Sequence, residues 1–246
     1  EFCIASEIGY ELIEWVLDLT DIKENPLLSK DGRKKINNCI TESGILVPSV
    51  CCDYFVDFQL TSTNFQKQME SFGMLFQLIR ICPEVGIKDI EIPLIASSSI
   101  NTKHKKEVII HLLNDLVPLL EEYDINLLLE TDLQPKEIEK LFSNFISDRI
   151  MLNYDTGNSA YWGFNPEDEL PIYGNKIGNI HIKDCTPKKY SVNLGTGNVD
   201  FDKTFKLFKK MNYSKDFILQ AVRGQKDIEL AKSFYKFTKE YIDKYL

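Results

Sequence analysis

The chain has 246 residues, is 43% hydrophobic and 27% charged, and carries a formal net charge of −8 with a pI near 5.1. That charge gives no basic footprint for a nucleic-acid backbone. No run approaches the roughly 20 apolar residues that a membrane-crossing helix needs. The composition is that of a soluble globular protein with ample core material, and its cysteine usage leads to the expectation of a cytoplasmic one.

The elements follow in chain order. Residues 1–9 read as a helix, and a first apolar run, "LIEWVL" (12–17), reads as a strand. A helical stretch over 31–44 opens at Asp31 as its cap, buries Ile36 and Ile40 and ends before Gly44. "LVPSVCC" (46–52) and "IEIPLI" (90–95) are further strands. Residues 101–122 form a helix with Val108, Leu112, Leu116 and Leu119 on one face. "NLLLE" (126–130) precedes a helix over 135–145 with Pro135 in its first turn and Ile138, Leu141 and Phe145 buried. "IMLNYD" (150–155), "IGNIHIK" (177–183) and "FILQAV" (217–222) are the remaining strands. A last helix, about 225–244, buries Ile228, Ala231, Phe234, Phe237 and Tyr241.

Seven strand–helix units in alternation imply a parallel sheet with helices outside. No G-x-G-x-x-G follows an early strand, which disfavours a dinucleotide-binding open sheet. The expected fold is α/β, a (β/α)8 TIM barrel over residues 1–246 as one domain. Its first strand is expected to be missing from the chain, which would make the domain amino-terminally incomplete.

The six cysteines show no C-x-x-C pairing and are expected to be reduced and mostly buried, with Cys51-Cys52 facing the core and the helix layer. In such barrels functional groups stand at the carboxyl ends of strands. Those ends carry Glu14, Asp53, Glu91, Glu130, Asp155, His181 and Gln220. His104 and His111 fall in a helix and are expected to be solvated, which leaves His181 as the histidine at a strand end. A lone carboxylate there is commonly a cap or half of a salt bridge. Glu130, Asp155, His181 and Gln220 come from four successive strands, and such an oxygen and imidazole set suits one divalent cation: Mn²⁺, Mg²⁺, Co²⁺ or Zn²⁺.

The stretches "IGYELIEW", "ENPLLSKDG", "INLLLETD", "LNYDTGNSA", "IGNIHIKD", "VNLGTGNVDF" and "FILQAVRG" run from end to end of the chain. In that order they resemble the sugar phosphate isomerase/epimerase family of xylose isomerase-like TIM barrels. The resemblance implies metal ligands at Glu130, Asp155, His181 and Gln220, the last departing from the family's glutamate, and Asn158 where many epimerases have histidine. It also implies an isomerase that removes a proton next to a carbonyl through an enediolate, with Glu130 as the general base. Gln220 can offer an oxygen but cannot carry a proton. With one carboxylate fewer, the ion should be held less tightly and the balance tilts slightly from 3-epimerisation towards aldose–ketose isomerisation.

Glu91 or Asp184 could supply a second base. Glu14 and Asp53 are candidates for substrate hydroxyls, and Lys183 and Arg223 for a phosphate or hydroxyls, with a plain salt bridge equally open for the two cations. Gly195 and Gly197 could present N–H groups to a phosphate or form a plain turn, and Trp162 could wall the sugar or, as is commoner for a loop aromatic, simply pack. The expected partner is a small sugar or sugar phosphate, with no nucleic acid and no membrane; a homo-oligomer is compatible with the sequence. Competing readings are a non-catalytic sugar or sugar-phosphate sensor, an endonuclease-like barrel, and a fragment with unpaired strand edges.

Overall fold

The computed structural model describes residues 1–20, 22–186 and 191–246. The chain divides into two compact units, residues 1–6 with 11–151 and residues 7–10 with 152–246.

The first unit holds four parallel strands, β1 (Trp15–Val16), β2 (Ser49–Cys51), β3 (Asp89–Leu94) and β4 (Asn126–Thr131), paired in that order. Helix α1 (Phe2–Ile8) opens the chain. Helices α2 (Lys30–Ser43), α3 (Tyr54–Asp57), α4 (Phe65–Ile81), α5 (Lys103–Tyr123) and α6 (Pro135–Phe142) connect or follow the strands. Register partners in a parallel pair share a face, and successive residues alternate faces. The pairs Cys51↔Glu91, Glu91↔Leu128 and Pro93↔Glu130 therefore put Cys51, Glu91 and Glu130 on one face. Ile90, Ile92, Leu127 and Leu129 take the other, fully buried. The same alternation brings Asn126 to Asp89, whose Oδ1 accepts its amide at 2.8 Å.

Several expected details differ. The cap of α2 is Ser29, whose hydroxyl accepts the Gly32 N–H, and Asp31 lies in the first turn. A serine followed by a helix-compatible residue outcompetes Asp31 because its extended backbone sits one step before the first turn. Ile36 is buried but Ile40 only half-buried. In α5 the buried row is Ile109, Leu113, Leu116, Val117 and Leu120, one position on from the expected face. Val108, Leu112 and Leu119 flank it half-buried, since the apolar stripe is two rows wide and periodicity cannot rank them. Helix α6 ends at Phe142, leaving Phe145 beyond it and edge-on to Phe142.

The second unit is built on β5 (Ile150–Asp155, entering it at Leu152), β6 (Ile177–Ile182) and β9 (Phe217–Leu219), parallel and paired in that order. A two-stranded antiparallel ribbon, β7 (Asp184–Cys185) with β8 (Ser191–Val192), follows β6. Helices α7 (Thr156–Trp162), α8 (Pro166–Tyr173), α9 (Phe201–Lys210) and α10 (Asp227–Tyr245) complete it.

Tyr154 points away from the face that carries Asp155, and its hydroxyl donates to the buried Glu169 of α8 at 2.6 Å. Tyr173 also donates to Glu169 at 2.7 Å, and Ser159 donates to it as well, so one carboxylate ties α7 and α8 to β5. Phe205 stacks on Phe217 at 5.5 Å, which locks α9 over β9. Of the residues expected to be buried in α10, Phe234 is, but Ile228 is 49% exposed because it sits in an uncovered first turn. No helix among the described residues is long and apolar enough to cross a membrane.

Candidate metal and substrate site

In the first unit the polar face carries the expected carboxylates. Glu91 is fully buried within β3, and Glu130 is buried as the fifth residue of β4. Glu14 lies just before β1, where its Oε2 accepts the Ser49 hydroxyl at 2.7 Å. Asp53 precedes α3, with the Cys51 thiol 3.7 Å from its Oδ1.

Cys51 is one residue that sequence reasoning missed. Ligand atoms of Glu14, Cys51 and Glu91 all lie within 4.8 Å of one another, a set of oxygen and sulfur donors able to hold a metal. Cys51 and Cys52 are both buried, as expected, and strand alternation sends them to opposite faces. Cys51 joins the carboxylates, while Cys52 turns to the other side, 3.9 Å from the Val50 carbonyl. Burial pushes the Cys51 thiol well above its usual range, and the charges of Glu91, Asp53, Glu14 and Glu130 push it further. Burial also raises Cys52, helped by the Cys82 thiol beside it.

In the second unit, register brings three expected residues to one face. Asp155 pairs with His181, and His181 with Ile218. Two residues on, Lys183 and Gln220 follow on that face. Asp155 ends β5, and its Oδ1 accepts the Asn158 N–H at 2.9 Å, capping α7. Its Oδ2 faces Lys183 Nζ at 3.3 Å, and Gln220 Oε1 accepts from the same ammonium at 3.2 Å. The Asp155 side chain is fully buried and that of Lys183 is 20% exposed. His181 is fully buried in β6.

The Lys183 stem is held from two sides. Thr156 Oγ1 donates to the Lys183 carbonyl at 2.6 Å and accepts the Lys183 N–H at 3.0 Å. A Cβ at Gly157 would come within 2.6 Å of Lys183 Cγ, so only glycine lets α7 approach that closely. Both residues stand in "DTGN", directly after Asp155, and that adjacency was the available signal.

Asp184 is fully buried and engaged elsewhere: its Oδ2 accepts the Gly195 and Gly197 N–H groups at 2.9 and 2.8 Å, and its Oδ1 accepts Val199 N–H at 3.2 Å. The two glycine N–H groups thus serve the chain's own carboxylate, which favours the turn over the phosphate of the two readings of these glycines. Gly197 must be glycine, since a Cβ there would lie 2.2 Å from Asp184 Oδ1. Arg223 is exposed in the coil after β9. Trp162 ends α7 47% exposed and edge-on to Tyr161. His104 and His111 are exposed on α5, as expected.

The donors of the second unit fit a divalent ion. Two oxygens, from Asp155 and Gln220, already converge on a single cationic centre, the Lys183 ammonium, and the adjacent strand carries an imidazole in register with Asp155. Mixed oxygen and imidazole donors suit Mn²⁺, Co²⁺ or Zn²⁺.

Comparison with known proteins agrees with this architecture. The chain is 28% identical to the putative L-ribulose-5-phosphate 3-epimerase SgbU of Haemophilus influenzae over 233 residues, covering 88% of this chain and 81% of the relative. It is 25% identical to the L-ribulose-5-phosphate 3-epimerase UlaE of Shigella boydii, covering 88% and 79%. The crystal structure of the IolI protein with a bound zinc atom superposes with a TM-score of 0.82 at 18% identity, covering 99% of this chain and 92% of that one. The xylose isomerase-like TIM barrel family matches residues 2–239, and the chain belongs to that family.

Proposed function

We propose that this chain is an isomerase-class enzyme, a metal-dependent sugar or sugar-phosphate isomerase/epimerase that removes a proton next to a carbonyl, built as one domain. The observation that carries the reading is the convergence of Asp155 Oδ2 and Gln220 Oε1 on one cation beside the buried His181. Curated relatives named as L-ribulose-5-phosphate 3-epimerases support the substrate class, a ketose or its phosphate.

In this reading Glu130, Asp155, His181 and Gln220 are the ligand set for one divalent ion. When bound, that ion would supply Lewis-acid stabilisation of the negative charge that develops as the carbon-bound proton leaves. Glu130, buried in β4, is the base that takes the proton. Asp155 uses only Oδ1 to cap α7, which leaves Oδ2 for a cation. Gln220 offers an oxygen and no proton acceptor, so a second proton-transfer group for epimerisation must come from elsewhere. With Asp184 committed to three backbone N–H groups, Glu91 is the remaining candidate. Glu14, Asp53, Asn158, Lys183 and Arg223 are the proposed contacts for substrate hydroxyls or phosphate.

The test is proton exchange. Purified protein with Mn²⁺, Co²⁺ or Zn²⁺ and L-ribulose 5-phosphate, followed by a panel of pentuloses, hexuloses and their phosphates, should exchange a substrate C–H proton with D₂O. Glu130→Gln should abolish that exchange while leaving the fold intact. Tight sugar binding with no exchange in any metal would establish the sensor reading instead.

A further inference from the structure

We infer that Lys183 is a resident cation of the metal site: its ammonium holds the place between Asp155 and Gln220 until a divalent ion displaces it. The inference rests on the metal-site reading above and extends it to what the site does before loading. Three observations within the second unit carry it. Lys183 Nζ lies 3.3 Å from Asp155 Oδ2 and 3.2 Å from Gln220 Oε1, the two oxygens assigned to the ion. The Asp155 side chain is completely buried, so without a metal it needs a positive partner within the protein. The ammonium is also built into place, with its backbone clamped by Thr156 and its stem laid against Gly157.

A metal and an ammonium cannot share those two oxygens, because like charges a few ångströms apart repel strongly where water is scarce. Loading is therefore an exchange of one cation for another. The chain should fold without metal, bind it more weakly than an unobstructed site would, and move Lys183 when it binds.

Metal affinity measures this directly, using the full chain stripped by chelator and titrated with Mn²⁺ by calorimetry or by the EPR signal of the free ion. Lys183→Met keeps the stem against Gly157 and removes the charge, and should bind Mn²⁺ about tenfold or more tightly than the unsubstituted chain. Lys183→Arg, which keeps the charge, should gain nothing. Equal or weaker binding by Lys183→Met overturns the inference.

If Lys183→Met does not fold, pulse labelling of the unsubstituted protein with an amine reagent takes its place, read by mass spectrometry with and without Zn²⁺. Labelling of Lys183 should rise on loading, and an unchanged rate overturns the inference equally. Asp155→Asn separates the two readings. If it loses Mn²⁺ while Lys183→Met gains none, only the resident-cation inference fails. If it binds Mn²⁺ as the unsubstituted chain does, the metal-site reading fails and takes the inference with it.

Discussion

Thr156 and Lys183 are tied through one hydroxyl, which donates to the Lys183 carbonyl at 2.6 Å and accepts the Lys183 N–H at 3.0 Å. This bond pair joins the first residue of α7 to the residue that follows β6. Thr156→Val keeps the volume and removes both bonds. It should cost about 1–3 kcal/mol in urea denaturation, and Thr156→Ser should recover most of the loss.

Gly157→Ala tests the same junction by steric means. The new Cβ would meet the middle of the Lys183 stem, which must move. A loss of about 1–3 kcal/mol is expected. Combining it with Lys183→Ala should be less than additive in a double-mutant cycle, since the clashing stem is then gone. Full additivity would mean that the strain lies elsewhere.

Asp184 satisfies three backbone N–H groups from a fully buried position. Replacing it with alanine leaves those donors unpaired and should cost about 3 kcal/mol or more by chemical denaturation. A neutral result would show that water or another acceptor takes its place in the 194–199 loop.

Gln220→Glu restores a carboxylate opposite the cation. It should tighten Mn²⁺ binding about tenfold, as read by calorimetry. No change would argue that Gln220 does not ligate the ion.

The buried thiols set an alkaline limit. Burial raises Cys51, Cys52 and Cys82 above the ordinary thiol range. Because the folded values are raised, these groups favour the fold fully below the unfolded thiol pKa of about 8.5. Above it the unfolded chain ionises first, and stability falls as pH climbs towards the folded values. Each thiol should add about 1.4 kcal/mol per pH unit to that fall. Urea denaturation in reductant between about pH 8 and pH 10 measures it, and Cys→Ala substitutions should flatten the profile. At neutral pH the exposed Cys3 should react with thiol reagents while the buried four stay silent.

Alternation of β-branched runs with 3.6-period helices was enough to locate all seven of the expected strands, because burial imposes those periods on any chain that forms this architecture. It also placed Asp155, His181 and Gln220 at or next to strand ends, where β5, β6 and β9 carry them. Periodicity could not choose between the two adjacent apolar rows of α5. Nor could it see that Cys51 turns to the carboxylates, since the phase of a three-residue strand is set by its neighbours' register. Residue types alone also left the use of each polar group open. Whether Asp184 serves substrate or three backbone N–H groups, and whether Lys183 awaits a phosphate or fills a cation's place, depends on atoms brought within 3.3 Å across gaps of 11 to 37 residues. Chain composition and local pattern govern which groups line a strand, but only packing in three dimensions determines which partner reaches each one first.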